Sequence, residues 1–363
     1  ISACLVGSEM CIRDRGKSPL TGGIKEANVG GTAGHKLGRL GVQAIIVEGR
    51  AKDWQILKLD AKGAVLESAG DIIGLDNYAA CERLRQRYGS KIGIMIIGPA
   101  GERKYANSTI AVTDVEGRPC RHAARGGVGA IMGAKSLKTI VIDDTDTSLR
   151  KPFDQEAFSA AVKAAIGAIK SGPYGELMHH MGTPGMIDID NGRGSLPTYN
   201  HRQGAFEKAQ NINANRLIEL NRVRGGTVGH GCMPGCAVQC SNIFHDAGGK
   251  YLTASLEYET LAMLGSNLGI DDLDAIARMD RKCDGFGIDT IETGCTIGIL
   301  SDVGLFEFGD VARAEALIEE IGQGSPMGRI LGSGVEIAAK VLGIDRVPAV
   351  KGQGIPAHTA RSM

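Results

Sequence analysis

The chain has 363 residues, enough for two or three domains, and 41 Lys plus Arg balance 41 Asp plus Glu. A formal net charge of zero gives no pull toward nucleic acid or an anionic membrane. No apolar run approaches the ~20 residues that a membrane span needs. The nine cysteines are odd in number and irregularly spaced, which suits a reduced compartment and a cytoplasmic protein better than a disulfide framework.

Residues 1–15 carry no targeting pattern and read as adapter or read-through sequence foreign to the fold. The abrupt stop at Met363 reads as the cut end of a fragment trimmed on both sides. From Gly16 to residue 148 the signals are strand and turn. Val42–Glu48 is a short apolar run, Gln55–Asp60 and Ala64–Glu67 flank Lys62-Gly63 as a hairpin, and Lys91–Ile97 and Thr139–Asp143 read as buried strands. Tyr78–Tyr88 has the spacing of a short amphipathic helix. Residues 149–363 change period. Asp154–Lys170, Asp271–Asp284, Thr290–Leu300 and Val311–Ile321 place apolar residues at helical spacing, with Asp154 as a cap. The expected class is α+β: a sheet-rich N-terminal domain followed by a mainly helical one.

Three cysteines stand out inside the helical part, in Gly231-Cys-Met-Pro-Gly-Cys-Ala-Val-Gln-Cys-Ser241. Thiolates are soft ligands for iron–sulfur clusters, zinc or copper(I). Pro234-Gly235 breaks any helix, so Cys232, Cys236 and Cys240 lie on a loop. A cubane cluster wants four ligands, and this run supplies three. His230 and His245 keep zinc in play as an alternative.

Arg121-His-Ala-Ala-Arg-Gly-Gly-Val-Gly-Ala-Ile-Met-Gly133 puts arginines ahead of a glycine-rich turn and a helix start, a combination suited to phosphate. It lacks the six-residue dinucleotide fingerprint. Asp284-Gly-Phe-Gly-Ile-Asp289 reads as a helix–helix junction in which Gly287 stops one helix and Asp289 caps the next. Glu257 and Glu259 open an apolar helix and could be ordinary first-turn acids. Glu176-x-x-His179 has the i, i+3 spacing of a metal pair, though the spacing alone favours no metal there.

Taken in order, Lys17-Ser-Pro-Leu-Thr-Gly22, Asn28-Val-Gly-Gly31, Gly98-Pro-Ala-Gly-Glu102, Arg125–Gly133, the cysteine run, Glu257-Tyr-Glu259 and Asp284–Asp289 resemble the aldehyde ferredoxin oxidoreductases. The resemblance covers essentially all of residues 16–363. It implies a tungsten- or molybdenum-bis-pterin with a magnesium ion bridging the pterin phosphates, a [4Fe–4S] cluster, a small aldehyde substrate, and ferredoxin or another iron–sulfur protein as electron acceptor. A homodimer is also expected.

Residue by residue, the resemblance assigns Asn28, Gly30, Arg121, His122, Ala124, Asp284, Ile288 and Asp289 to the pterin. It assigns Cys232, Cys236 and Cys240 to the cluster and Glu259 to proton transfer. The family spacing Cys-x2-Cys-x3-Cys is one residue shorter in its first gap. Arg278 stands where relatives can carry an iron-binding Glu-x-x-His. Pro356-Ala-His-Thr-Ala-Arg361 departs from the usual Pro-Ala-Tyr-Asp-Pro-Arg. The missing ligand, the second pterin repeat and a third domain are expected beyond Met363, so the fragment alone is expected to be inactive. Outside this family, the residues also allow a nicotinamide or flavin dehydrogenase, or a zinc-stabilised scaffold without catalysis.

Overall fold

A computed structural model describes residues 3–7, 12–148 and 151–358 of the chain. Two sheets build the N-terminal part. One has four strands in the order Ile24–Val29, Ile12–Lys17, Ala3–Gly7 and Ala44–Val47, all antiparallel. The other has six, running from the Gln55–Asp60/Gly63–Ser68 hairpin through Leu137–Ile142 and Gly93–Ile96 to Ile110–Val112 and Arg121–Ala123. Its central strands are buried along their whole length, which their Ile, Val and Met content suits, and the buried Lys138 among them is paired with Glu102 at 2.5 Å. The Asn77–Tyr88 helix covers one face of this sheet with Ala80, Cys81 and Leu84. Asp76 caps it by accepting the Ala79 amide at 2.8 Å.

The expectation that residues 1–15 stand outside the fold is corrected for residues 3–7, which pair with Ala44–Val47, and for residues 12–15. Residues 12–15 belong to a strand registered on Ile24–Val29, and Ile12 and Asp14 are buried. The signal was missed because Ile12-Arg-Asp-Arg-Gly-Lys17 carries polar side chains on both faces and lacks the alternation expected of a half-buried strand. Burial without a countercharge lifts the Asp14 carboxyl to about 8.

The second part is built on helices Leu273–Phe286 and Thr290–Asp302, which together supply much of the larger core. The Gln155–Ser171 helix begins at the expected cap, Asp154, whose carboxylate accepts the Ala157 amide at 2.9 Å. It buries none of its residues. The helical part also contains a sheet that the sequence signals did not show: Thr227–His230, Ser241–His245 and Tyr251–Ala254, antiparallel in that order. The cysteine run is the connection between its first two strands. No described helix is long and apolar enough to cross a membrane.

The two parts meet backbone to backbone. The Thr109 amide donates to the Gly287 carbonyl and the Asp289 amide to the Asn107 carbonyl, both at 2.9 Å, framing a bridge between Ser108 and Ile288. Beside them Gly98 faces the end of the Leu273–Phe286 helix. A Cβ at position 98 would sit 2.8 Å from the Gly287 nitrogen and closer still to the Phe286 carbonyl, so only glycine fits.

Candidate active site

The Arg121–Ala123 strand ends at the junction between the two parts, and its side chains reach across. His122 is held by Thr109 Oγ1 at 2.7 Å on Nδ1, and its Nε2 lies 3.0 Å from Asp284 Oδ1. The other Asp284 oxygen accepts the Tyr78 hydroxyl at 3.1 Å. Burial, and then the neighbouring Asp284 charge, push the Tyr78 phenol well above its ordinary value, so it stays a donor. Asn77 Nδ2 donates to the Asp284 carbonyl at 2.7 Å. Asp284 is thus fixed by groups from the sheet domain, although it stands on the last turn of a helix in the other.

Arg121 turns the opposite way. It is buried, and Nη1 donates to the hydroxyls of Ser241 on the small sheet and of Ser255 just past its last strand. Nε and Nη2 make no hydrogen bond among the described residues. Ala124 follows, and then Arg125, whose Nη1 lies 3.5 Å from Asp289 Oδ2 and whose Nη2 donates to the Gly354 carbonyl at 2.5 Å. Asp289 Oδ1 caps the next helix through the Ile291 amide at 3.0 Å. Its buried Oδ2 forms no hydrogen bond. Ile288 is the bridge residue between the two parts.

The cysteine loop lies against the same junction. The Gly31 amide donates to the Cys232 carbonyl at 3.1 Å. A Cβ on Gly30 would stand 3.0 Å from the Cys232 sulfur, so a side chain there would press directly on the thiol. Cys232 and Cys236 share a hydrogen bond that pulls the Cys236 thiol down to about 5, while that bond and burial push Cys232 up. Burial, followed by the Glu257 charge, raises Cys240 to about 11. Cys283 and Cys295 lie buried on their helices, away from this loop.

Glu259 sits in the first turn of the Tyr258–Leu264 helix and lines a cavity of about 1090 Å³ with Lys25, Arg125, Gln203, Arg346 and Lys351. Its two oxygens accept the Ala357 and His358 amides at 2.8 and 3.1 Å. These amides come from the Pro356–Arg361 stretch, whose residues 359–361 lie outside the described part. Asn28 is exposed, on the face of its strand opposite Ala27 and Val29, and is not drawn into the junction. Arg278 pairs with Glu315 at 2.8 Å. His179 of the Glu176-x-x-His179 pair donates from Nδ1 to the Val238 carbonyl, 3.3 Å away, so it braces the cysteine loop.

The sequence reading missed two contributors. Glu292 is buried, accepts the Val335 and Gly354 amides at 2.9 Å each, and lies 3.9 Å from Arg125. In the first turn of its helix it reads as an ordinary first-turn acid. Tyr78 was seen only as the start of a helix.

Comparison with known proteins decides the family. Residues 6–144 match the model for the aldehyde ferredoxin oxidoreductase N-terminal domain, and residues 160–363 match the model for domains 2 and 3 of the same enzymes. The chain belongs to the aldehyde ferredoxin oxidoreductase family. It is 31% identical over 369 residues to the tungsten-containing aldehyde ferredoxin oxidoreductase of Pyrococcus horikoshii, a match covering 95% of this chain and 58% of that protein. It is 32% identical over 313 residues to the Pyrococcus furiosus protein of the same name, covering 85% of this chain and 48% of that one. The chain therefore spans little more than half the length of the curated relatives it matches. Among solved structures, the active-site complex BamBC of benzoyl coenzyme A reductase aligns with a TM-score of 0.77, covering 98% of this chain and 58% of that one. At 17% identity that likeness shows a shared fold.

Proposed function

We propose that this aldehyde ferredoxin oxidoreductase family member forms part of an enzyme that oxidises an aldehyde to a carboxylic acid at a tungsten- or molybdenum-bis-pterin and passes the electrons through a [4Fe–4S] cluster to ferredoxin. The observation that carries the reading is the meeting of His122 and Asp284 at the domain junction where the Cys232 carbonyl also receives the Gly31 amide. Residues far apart in sequence and expected to serve two different cofactors converge on one boundary.

The residues suit such groups. Nε and Nη2 of Arg121 are buried and lack hydrogen bonds among the described residues, a costly state unless a polar ligand satisfies them, and Arg125 Nη1 and Asp289 Oδ2 meet only each other, at 3.5 Å. Arginine guanidinium groups suit phosphate, and the two aspartates suit the ring N–H groups of a pterin. Three sulfurs of one loop suit a thiolate-bound cluster. The metallopterin, when bound, supplies the two-electron chemistry by which an aldehyde gains the oxygen of water.

The protein's own groups hold and aim. Arg121, His122 and the backbone at Ala124 receive phosphate, with Arg125 beside them, while Asp284 and Asp289 orient the ring system through Ile288. Asn28 and Gly30 form the sheet-domain edge of the same site. Cys232, Cys236 and Cys240 bind iron. Glu259, anchored by two amides and lining the cavity of about 1090 Å³, accepts a proton from the substrate or its attacking water.

Elemental analysis of the natural, full-length protein purified anaerobically tests the proposal. Tungsten or molybdenum together with iron is the expected result. One zinc without iron, or nucleotide binding without metal, would overturn it in favour of a scaffold or a nicotinamide dehydrogenase. In the metal-loaded enzyme, Glu259→Gln is expected to keep metal and pterin but lower kcat by about 100-fold or more; unchanged kcat would remove Glu259 from the proton path.

A further inference from the structure

Outside the junction, a second group of ligating side chains comes together where the turn after the Ile110–Val112 strand meets the end of the Thr227–His230 strand. Asp114, Glu116 and His230 each offer one ligand atom, and all three atoms lie within 4.8 Å of one another. Glu116 Oε2 and His230 Nε2 are 3.3 Å apart. That nitrogen is buried and forms no geometrically sound hydrogen bond. Among the described residues no lysine or arginine side chain forms an ion pair with either carboxylate; the Arg118 and Arg121 charges act on the group only from further off, and the imidazole of His230 is its one directly paired cation-capable neighbour. Two carboxylates brought this close repel unless a positive charge stands between them.

We propose that Asp114, Glu116 and His230 form a binding site for a single divalent transition ion of the zinc class. The donor set of one imidazole nitrogen and two carboxylate oxygens suits zinc, manganese or iron(II). It is poor in oxygens for calcium and has no sulfur for copper(I). With bonds of roughly 2.0–2.2 Å, tetrahedral ligand atoms sit about 3.4 Å apart. The Glu116–His230 pair already has that spacing, and Glu116, being exposed, can close the remainder by rotation.

The supporting shell is in place. Asp114 Oδ1 accepts the Glu116 and Arg118 amides at 3.0 and 2.8 Å, and Oδ2 accepts the Cys120 thiol at 3.3 Å, so the carboxylate cannot swing away. Asp114 and Glu116 also line a surface pocket of about 540 Å³, which gives an ion a way in. The ion would tie the sheet domain to the strand that ends two residues before Cys232. It would act as a staple on the cysteine loop, and it does not depend on the redox reading.

The test uses the Cys232→Ser/Cys236→Ser/Cys240→Ser protein, so that thiolates contribute no metal binding. After equilibration with zinc chloride and desalting, one zinc per chain is expected. Cobalt chloride should give visible d–d bands without sulfur-to-cobalt charge transfer. Adding Glu116→Ala or His230→Gln should weaken zinc binding by at least about tenfold with unchanged circular dichroism. If the triple-serine protein does not fold, the same comparison is made with the cysteines intact, where Glu116→Ala should carry one zinc fewer per chain than its parent. Zinc held equally by the Glu116→Ala and His230→Gln proteins, no zinc held by the folded triple-serine protein, or magnesium chloride binding as tightly as zinc chloride would each overturn the site.

Discussion

The Asp284 junction and the cysteine loop lie side by side, yet they are finished to different degrees. At the junction the protein holds Asp284 itself: Asp284 takes the Tyr78 hydroxyl on one oxygen and stands beside His122 on the other, and its backbone carbonyl receives Asn77, while Arg121 Nε and Nη2 nearby have no hydrogen-bond partner among the described residues. In the loop, Cys232 and Cys236 bond chiefly to each other, and the chain path between Gly231 and Ser241 is irregular. The junction is built before any cofactor arrives. The loop holds thiols whose best partners are not protein groups. Variants at the two places should therefore fail in different ways, one through stability and the other through metal content.

The largest effect is expected in the loop. Cys236→Ser or Cys240→Ser should abolish retained iron and its visible absorption after reconstitution. The metal-free melting curve should move by less than about 1 kcal/mol, because a half-buried thiol and a hydroxyl differ little in packing. A large loss of stability in the metal-free protein would erase the contrast.

Gly98→Ala should do the reverse. Its methyl meets the Phe286 carbonyl and the Gly287 nitrogen, backbone that cannot move aside, so a cost of about 3 kcal/mol or more is expected in denaturant unfolding.

Glu292→Gln keeps the shape but turns an N–H group toward one of two amide donors, and about 1–3 kcal/mol should be lost. This loss depends on pH. Burial holds the native Glu292 carboxyl above its ordinary 4.5, so its contribution is full below pH 4.5 and fades as pH rises through the native value. The advantage of the parent over Glu292→Gln should shrink in that direction; a growing advantage would contradict the assignment. The smallest effect, about 1 kcal/mol, is expected for Tyr78→Phe, which removes one of the contacts on Asp284.

Much of the architecture was legible in the sequence. The Gln155–Ser171 helix announced itself through its cap and its 3.6-residue period, and the Gln55–Ser68 hairpin through its turn residues. The three-strand sheet around the cysteines was hidden because Thr227–His230 is only four residues long and carries Gly229 in its middle. Among site residues, the cysteines and the arginine-glycine run declared their chemistry by residue type. Glu292, Tyr78 and the Asp114–Glu116–His230 group did not, because their meaning comes from partners that lie 43 or more residues away along the chain, beyond the reach of any local pattern. Local propensity carries no record of such pairings.

The bridge between Ser108 and Ile288 gives the two parts a shared strip of β-structure rather than a lubricated contact of side chains. Its flanking amides, on Thr109 and Asp289, can meet solvent only when that strip parts. Their hydrogen-exchange rates therefore clock the separation of the two parts directly, and a variant that loosens the boundary would show there before it shows in the interior of either sheet.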